Sequence, residues 1–387
     1  MKKIFALIFA LCFVLCACKE VVVDSEVVDS AEVTQYRGKN EYNDISLGMT
    51  ELVQDDNFYY YTDYNSDKFG FLKKDKKSGK ITVVSEEYFG NMYEYSKYIY
   101  FEHVDGDIYI FDREKQKLEI KSYLNVFSLK KDDLKYDAMD EYYDINMHMI
   151  HDGWLATVRK FMYGETIFSE TYLLNYDMTS KEYIPMVEDV DFVLDDDVFS
   201  LSSKGEILSY NLKTKKHSFV SGEFLGINGE KSTSLPFFEY LGGGKILAFK
   251  DMKMHIINLT NGRVEKEIKC DYDWSYPSVT YDKNNIYLMI KEFYEDNPPD
   301  SKDYVHDGKS KYRIDAISRS NYETKTIYRT EIEIPYTYVG LVDADDNCLY
   351  LRKCGYPDVD DGTSVDEFLT LSKDGKEIKT LFKTTVE

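Results

Sequence analysis

The stretch HIINLTNGRVEKEI, residues 255–268, decides the fold. It is a β-rich run that stops at Asn258, passes through a Thr-Asn-Gly corner and resumes as a second run from Val264. Two short β-favouring segments joined by Asn and Gly read as a β-hairpin. The same hairpin recurs: a strand ending in Asp, Asn or Ser, a turn of Lys, Ser, Thr and Gly, then another strand. It appears as FLKKDKKSGKITVV at Asp75, IYIFDREKQKLEIK at Asp112, YLLNYDMTSKEYIP at Asp177 and ILSYNLKTKKHSFV at Asn211. After Asn258 it returns as DAISRSNYETKTIY at Ser318 and FLTLSKDGKEIKTL at Ser372.

Upstream of each copy lies one more strand that begins at a turn: DDNFYYYTD, YSKYIYFEH, HDGWLATVRK, DDDVFSLSS, GGKILAFK, NNIYLMIKE and DNCLYLRK. From Asp75 to Ser372 the copies span 297 residues in six intervals, a mean of 49.5. Four strands of about five residues, with their turns, fill that length. A four-stranded unit repeated without a helical layer predicts an all-β chain folded as a β-propeller, with seven blades, or six if one hairpin is peripheral. Each unit needs its neighbours to cover both faces, so the blades supply one another's core. The many tyrosines inside strands (residues 59–61, Tyr98, Tyr100, Tyr109) fit that packing. Residues 128–143, SLKKDDLKYDAMDEYY, are the best candidate for a helical turn or two.

The rest of the composition narrows the class. The 387 residues include 35 Tyr and 22 Phe against 7 Pro, enough aromatic surface for a packed core. Formal charge is -22, and residues 1–17 carry Lys2 and Lys3 but no acid, so without them it is -24. Such a surface repels phosphate backbones and anionic headgroups, which argues against nucleic acid and against electrostatic docking on a membrane.

Lys2 and Lys3 precede an uncharged apolar run, residues 4–15, in the layout of a secretory signal. Twelve helical residues rise about 18 Å, short of the roughly 30 Å hydrocarbon core, so this is no transmembrane helix. Leu15-Cys16-Ala17-Cys18 resembles the bacterial lipobox, and Cys18 is the better acceptor because Cys16 would put Leu15 where a small residue is required. INLTNG, residues 257–262, is similar to the Asp/Asn-Leu-x-x-Gly outer hairpin of bacterial propellers. Over residues 45–387 the chain resembles the lipid-anchored β-propeller lipoproteins of bacteria. That resemblance implies cleavage after Ala17, diacylation of the Cys18 sulfur and a place in the cell envelope, anchored to the membrane and facing outside the cytoplasm. Two or three acyl chains, at about 0.8 kcal/mol per buried methylene, hold far more firmly than one.

Residues 1–17 thus read as signal peptide, 18–44 as lipidated cysteine and acidic tether, and 45–387 as the propeller. Part of the tether, near residues 34–45, is expected to join the last blade beside residues 380–386 and close the ring. Of the remaining cysteines, Cys348 and Cys354 would lie about 20 Å apart on one strand, too far for a disulfide.

Linear catalytic motifs are sparse. GGGK at residues 242–245 lacks the other P-loop positions, and SLKK at 128–131 lacks the motifs that accompany Ser-x-x-Lys hydrolases. His148 and His151 fall on opposite faces of a strand and have no third ligand motif. The acidic runs DADDN (343–347) and DVDDG (358–362) lack the calcium-loop glycine and terminal glutamate, and read as turns. No metal or cofactor is expected.

Loop length carries more. The connection from second to third strand is short in units two, four and five, and grows in unit one (TDYNSDKFG), unit seven (CGYPDVDDGTSVDE) and unit six (EFYEDNPPDSKDYVHDGKSK). Those three units are adjacent once the ring closes, so Tyr64, Tyr294, Asp296, Asp300, Asp303, Tyr304, His306, Tyr356, Asp358 and Asp360 form a candidate binding rim. The expected role is a non-catalytic module for a protein or glycan partner. The alternatives are a glycan- or peptide-active enzyme with carboxylates at the ring mouth, and a structural subunit of an envelope assembly.

Overall fold

The computed structural model describes residues 45–46, 50–63, 68–103, 105–135, 141–185, 190–201, 206–221, 237–250, 253–269, 278–292, 310–332, 338–355 and 364–386. They form seven antiparallel sheets, each built from four strands consecutive in sequence, with a fifth short strand added to one. Blade one comprises Leu52–Gln54, Phe58–Asp63, Gly70–Asp75 and Ile81–Ser85. Blade seven comprises Tyr338–Ala344, Cys348–Gly355, Ser364–Ser372 and Ile378–Val386. This is the seven-bladed propeller that the repeat predicts.

Period-two alternation builds the core. In blade two, Ile99, Phe101 and Phe111 pack with Tyr60 and Phe71 of blade one. Their neighbours in sequence and across the sheet, Tyr100, Ile108 and Ile110, pack with Met147, Met149 and Trp154 of blade three. In blade six, Ile286, Leu288 and Ile290 turn one way while Tyr287 and Met289 turn the other. In these blades the second strand is therefore buried on both faces, which is why its residues read as near-continuous apolar and aromatic runs.

The recurring hairpin has one physical cause. The residue that ends each third strand accepts hydrogen bonds from backbone N–H groups of its own turn: Asp75 from Lys77 and Ser78, Asp112 from Glu114 and Lys115, Asn211 from Lys213 and Thr214, and Ser372 from Lys376 and Glu377. Asn258 and Ser318 do the same for Thr260 and Ser320. In blade three the capping residue is Asn175, which accepts from Thr179 and Ser180, and not Asp177. Asp177 sits within the turn and pairs with Lys121 of blade two.

A second repeated device lies in the turn from first to second strand. Asp55, Asp282 and Asp345 each accept two backbone N–H groups through Oδ1 and, through Oδ2, the hydroxyl of the tyrosine five residues on: Tyr60, Tyr287 and Tyr350. The run at residues 343–347 is thus a strand end followed by this turn. The next blade's outer hairpin then docks on it. Lys373 of blade seven reaches Asp282 at 2.6 Å, and Gln116 of blade two reaches the Tyr60 hydroxyl at 3.1 Å.

Ring closure departs from the expectation. Ile45–Ser46 does not lie beside Ile378–Val386; it pairs antiparallel with Phe192–Leu194, the innermost strand of blade four. All seven blades draw four strands from their own segments, and the short strand adds to the backbone edge that the innermost strand of blade four presents to the channel. Among the described residues the ring closes through side-chain contacts: Leu52, Tyr61 and Leu72 of blade one meet Tyr350 and Phe368 of blade seven, Tyr61 stacks on Phe382 at 4.2 Å, Gln54 donates to Asp343 at 3.1 Å, and Arg352 pairs with Glu51 at 3.0 Å. Residues 34–44 lie outside the described residues.

Among the described residues helix is confined to Leu124–Phe127 and a single 3-10 turn, Lys131–Leu134, and the expected helical stretch ends in the strand Glu141–Ile150. Among the described residues no helix is long and apolar enough to cross a membrane. Cys348 and Cys354 share one strand and both are free thiols.

Candidate interaction face

An antiparallel meander sorts its connections. Turns from first to second and third to fourth strand emerge on one face of the ring, here the turn face, and second-to-third connections emerge on the other, the loop face. Cys18 and all ten candidate rim residues lie outside the described residues. The strand ends that bracket those connections, Asp63 and Gly70, Glu292 and Ser310, Gly355 and Ser364, all open on the loop face. Blades six, seven and one are consecutive around the ring.

One described feature of that face is not flagged by the loop lengths. Blade three carries Glu141–Ile150, Gly153–Met162 and Glu165–Asn175, strands of 10, 10 and 11 residues, against five or six for most strands of blades one and two. Its fourth strand, Lys181–Ile184, pairs only as far as Thr171. Among the described residues, what lies beyond is a three-stranded arm. The tip is a two-residue turn with both residues left-handed, Tyr163 at φ 51° and Gly164 at φ 76°, the geometry that matches strand twist in a tight hairpin.

Side-chain pairs stiffen the arm on both faces. Tyr142 stacks on Phe161 at 4.8 Å with an interplanar angle of 6°, Arg159 pairs with Asp144 at 2.8 Å, and Lys160 pairs with Glu141 at 2.6 Å. Toward its end Tyr163 is 71% and Ile167 53% exposed, large apolar side chains held in solvent by a braced sheet. Glu102, at the end of the second strand of blade two, sits at the arm's root. It accepts the Met147 N–H at 2.6 Å across the blade boundary. Burial pushes its carboxyl up to about 7, the Met147 N–H and Tyr93 hydroxyl oppose that, and the nearby charge of Asp144 adds to it.

The turn face holds a cavity of about 350 Å³ between blades three and four, lined by His151, Asp152, Asp195, Asp196, Asp197, Asn211 and Lys213. Its polar groups largely satisfy one another: Lys213 pairs with Asp196 at 2.6 Å and Asn211 donates to Asp197 at 2.8 Å. His148 is separate from His151, buried in a strand where desolvation pushes its pKa down to about 4 and so keeps it neutral. Among the described residues no group of three His, Cys, Asp or Glu side chains is disposed to hold a metal ion.

No protein-family model matches the chain, and no curated protein matches it in sequence. Solved structures similar to it include the β-propeller domain of Myceliophteria thermophila Cps50 (Swd1), at 10% identity over 87% of this chain and 97% of that one, with a TM-score of 0.43. Kluyveromyces lactis Hsv2 matches at 10% identity over 88% and 99%, TM-score 0.41. The tricorn protease matches at 14% identity over 84% of this chain, TM-score 0.38, and the match spans 31% of that protein's length.

Proposed function

We propose that the chain is an exported lipoprotein, anchored through Cys18, whose propeller binds a protein partner on its loop face. The observation that carries the binding assignment is the blade-three arm: a braced three-stranded projection ending in Tyr163 and Ile167, on the face where the long connections of blades six, seven and one also open. An aromatic anchor on a preorganised element costs little ordering entropy on binding. The anchor assignment rests on the lipobox-like Leu15-Cys16-Ala17-Cys18.

Cross-linking and affinity capture from the native envelope test this. The partner recovered with the wild-type chain should be lost with Tyr163→Asp/Ile167→Asp and reduced on deleting residues 296–309, while circular dichroism stays unchanged. Equal capture by all three forms refutes the loop-face assignment. Mass spectrometry of the mature N-terminus should find acylated Cys18, and an unmodified Cys18 refutes the anchor.

A second reading, an enzyme, is favoured by Glu102 alone. A carboxyl titrating near 7 beside the Tyr93 hydroxyl is suited to general acid–base chemistry. Turnover of a glycan or peptide library that disappears in Glu102→Gln would establish it, and no turnover by the wild type would remove it.

A further inference from the structure

Charge is segregated between the two faces of the ring. The connections from second to third strand, and from each blade to the next, open on the loop face and together carry 26 acidic and 8 basic residues. The turns of the opposite face carry 13 of each. There the two signs separate again by radius. The inner turns, from first to second strand, hold 8 acids against 2 bases, whereas the outer turns, from third to fourth strand, hold 11 bases against 5 acids. The basic excess is largest in blades one and four, where Lys76, Lys77, Lys80, Lys213 and Lys215 are all exposed. Lys213 and Lys215 have surface partners in Asp196 and Glu182, weak pairs that an anionic surface can compete for.

The path of the chain points the same way. Ile45 pairs with Leu194, the last residue of its strand before the turn at Asp195 and Asp196, and Ser46 pairs with Val193. Because the pairing is antiparallel, the chain enters the channel from the turn face. By Thr50 it has reached Met92, which opens the innermost strand of blade two at the loop face. Whatever precedes Ile45 is therefore joined to the ring at the turn-face mouth, and 27 residues, 18–44, link that point to a lipid on Cys18.

Electrostatics decides which face a tethered ring turns to an anionic bilayer. Anionic headgroups attract basic residues and repel acidic ones within about a Debye length, about 10 Å at 0.1 M salt. The loop face is repelled, and the outer rim of the turn face is attracted. We propose that this basic rim, led by Lys76, Lys77, Lys80, Lys213 and Lys215, rests on the anionic headgroups of the membrane that holds the chain. The blade-three arm and the long connections are thereby presented outward. This rests on the anchor assignment above. A formal charge of -22 conceals the contact because it sums over both faces.

The test uses the full mature acylated chain, added from detergent to preformed vesicles of phosphatidylcholine, alone or mixed about 2:1 with phosphatidylglycerol. A membrane-impermeant amine-acylating reagent, read by mass spectrometry, reports the exposure of each lysine. On the mixed vesicles the five rim lysines should label at least threefold more slowly than in detergent. Lys131 and Lys135, on a loop-face connection, should label at an unchanged rate. The protection should shrink on phosphatidylcholine alone and as salt is raised. Lys76→Glu/Lys77→Glu/Lys213→Glu/Lys215→Glu should remove the protection of Lys80, with circular dichroism unchanged and the chain still floating with the vesicles. Equal labelling of both faces, protection of Lys131 and Lys135 in place of the rim, or equal protection on phosphatidylcholine alone would each overturn the proposal. A chain that does not float with the vesicles overturns the anchor and the proposal together. A chain that floats with its rim unprotected leaves the anchor standing and removes the proposal.

Discussion

Asp282→Ala removes a single carboxylate that joins blades six and seven. Its Oδ1 accepts the N–H groups of Asn284 and Asn285 at 2.7 and 2.8 Å, while its Oδ2 accepts the Tyr287 hydroxyl at 2.8 Å and the Lys373 ammonium at 2.6 Å. Without it the hydroxyl of Tyr287, a fully buried residue, has lost its acceptor, at about 1–3 kcal/mol for an orphaned donor. Lys373 keeps its place over the Tyr287 ring at 4.3 Å but has no counter-charge. Breaking a fully buried pair costs about 3–5 kcal/mol, and the 22% exposure of the lysine side chain brings its share to the lower end. We expect about 4 kcal/mol in all, read as a lower midpoint of the first urea transition.

Asp55→Ala is the matched control. It deletes the same turn and the same tyrosine acceptor, but the group docked there is Gln116, which is neutral. Its cost should be about 1–3 kcal/mol. A double-mutant cycle with Lys373→Met isolates the difference. Equal costs for the two aspartates, or no coupling between Asp282 and Lys373, would refute the reasoning. The pH dependence gives a further check. Burial pushes the Asp282 carboxyl up, but Lys373 and the two N–H groups outweigh it and hold it below the usual range. A depressed carboxyl contributes stability above its unfolded value, near 3.9, and loses it as pH falls through the folded value, so this part of the acid transition should vanish in Asp282→Ala.

Glu102 should show the opposite sign. Its folded value of about 7 is raised, so its contribution is present below about pH 4 and lost as pH rises through 7; Glu102→Gln should flatten thermal stability between pH 5 and 8, with up to about 3 kcal/mol at stake. Gly375 and Gly79 occupy corresponding turns at φ 74° and 71°, but a Cβ on Gly375 would lie 1.8 Å from the Ile327 carbonyl oxygen of blade six, whereas one on Gly79 meets nothing. Gly79→Ala should cost about 1–2 kcal/mol from its φ alone, and Gly375→Ala several times as much, by urea unfolding. A Cβ on Gly153 would come within 2.0 Å of the Leu174 carbonyl oxygen, so Gly153→Ala should lower the melting temperature more than Gly79→Ala does.

The blade count was legible because short polar side chains such as Asp, Asn and Ser cap their own turns, and seven of them recur at intervals of 36 to 63 residues. In blade three Asn175 and Asp177 are both acceptable caps by type, and only the turn geometry separates them. The Asp-to-Tyr device was equally present in the sequence, at a fixed spacing of five in three blades, but its aspartate belongs to a turn and its tyrosine to a strand, so reading by segments divides it. Ring closure was not legible, since pairing of Ile45–Ser46 with Phe192–Leu194 joins residues nearly 150 positions apart and depends on a backbone edge, which no side-chain pattern reports.

The arm shows where a repeat hides its exceptions. Insertions announce themselves as Gly, Pro, Asn and Asp between strands, so the connections of blades six, seven and one stand out. Blade three lengthens instead by continuing its strands, and alternating β-favouring residues from Gly153 to Asn175 look like more of the same sheet. What betrays the extension is a mismatch in length: a third strand of 11 residues facing a fourth of four. The part beyond Thr171 belongs to the arm and carries Ile167 into solvent. Counting strand lengths within each repeat, as well as loop lengths between strands, would have brought Tyr163 and Ile167 forward from the sequence alone.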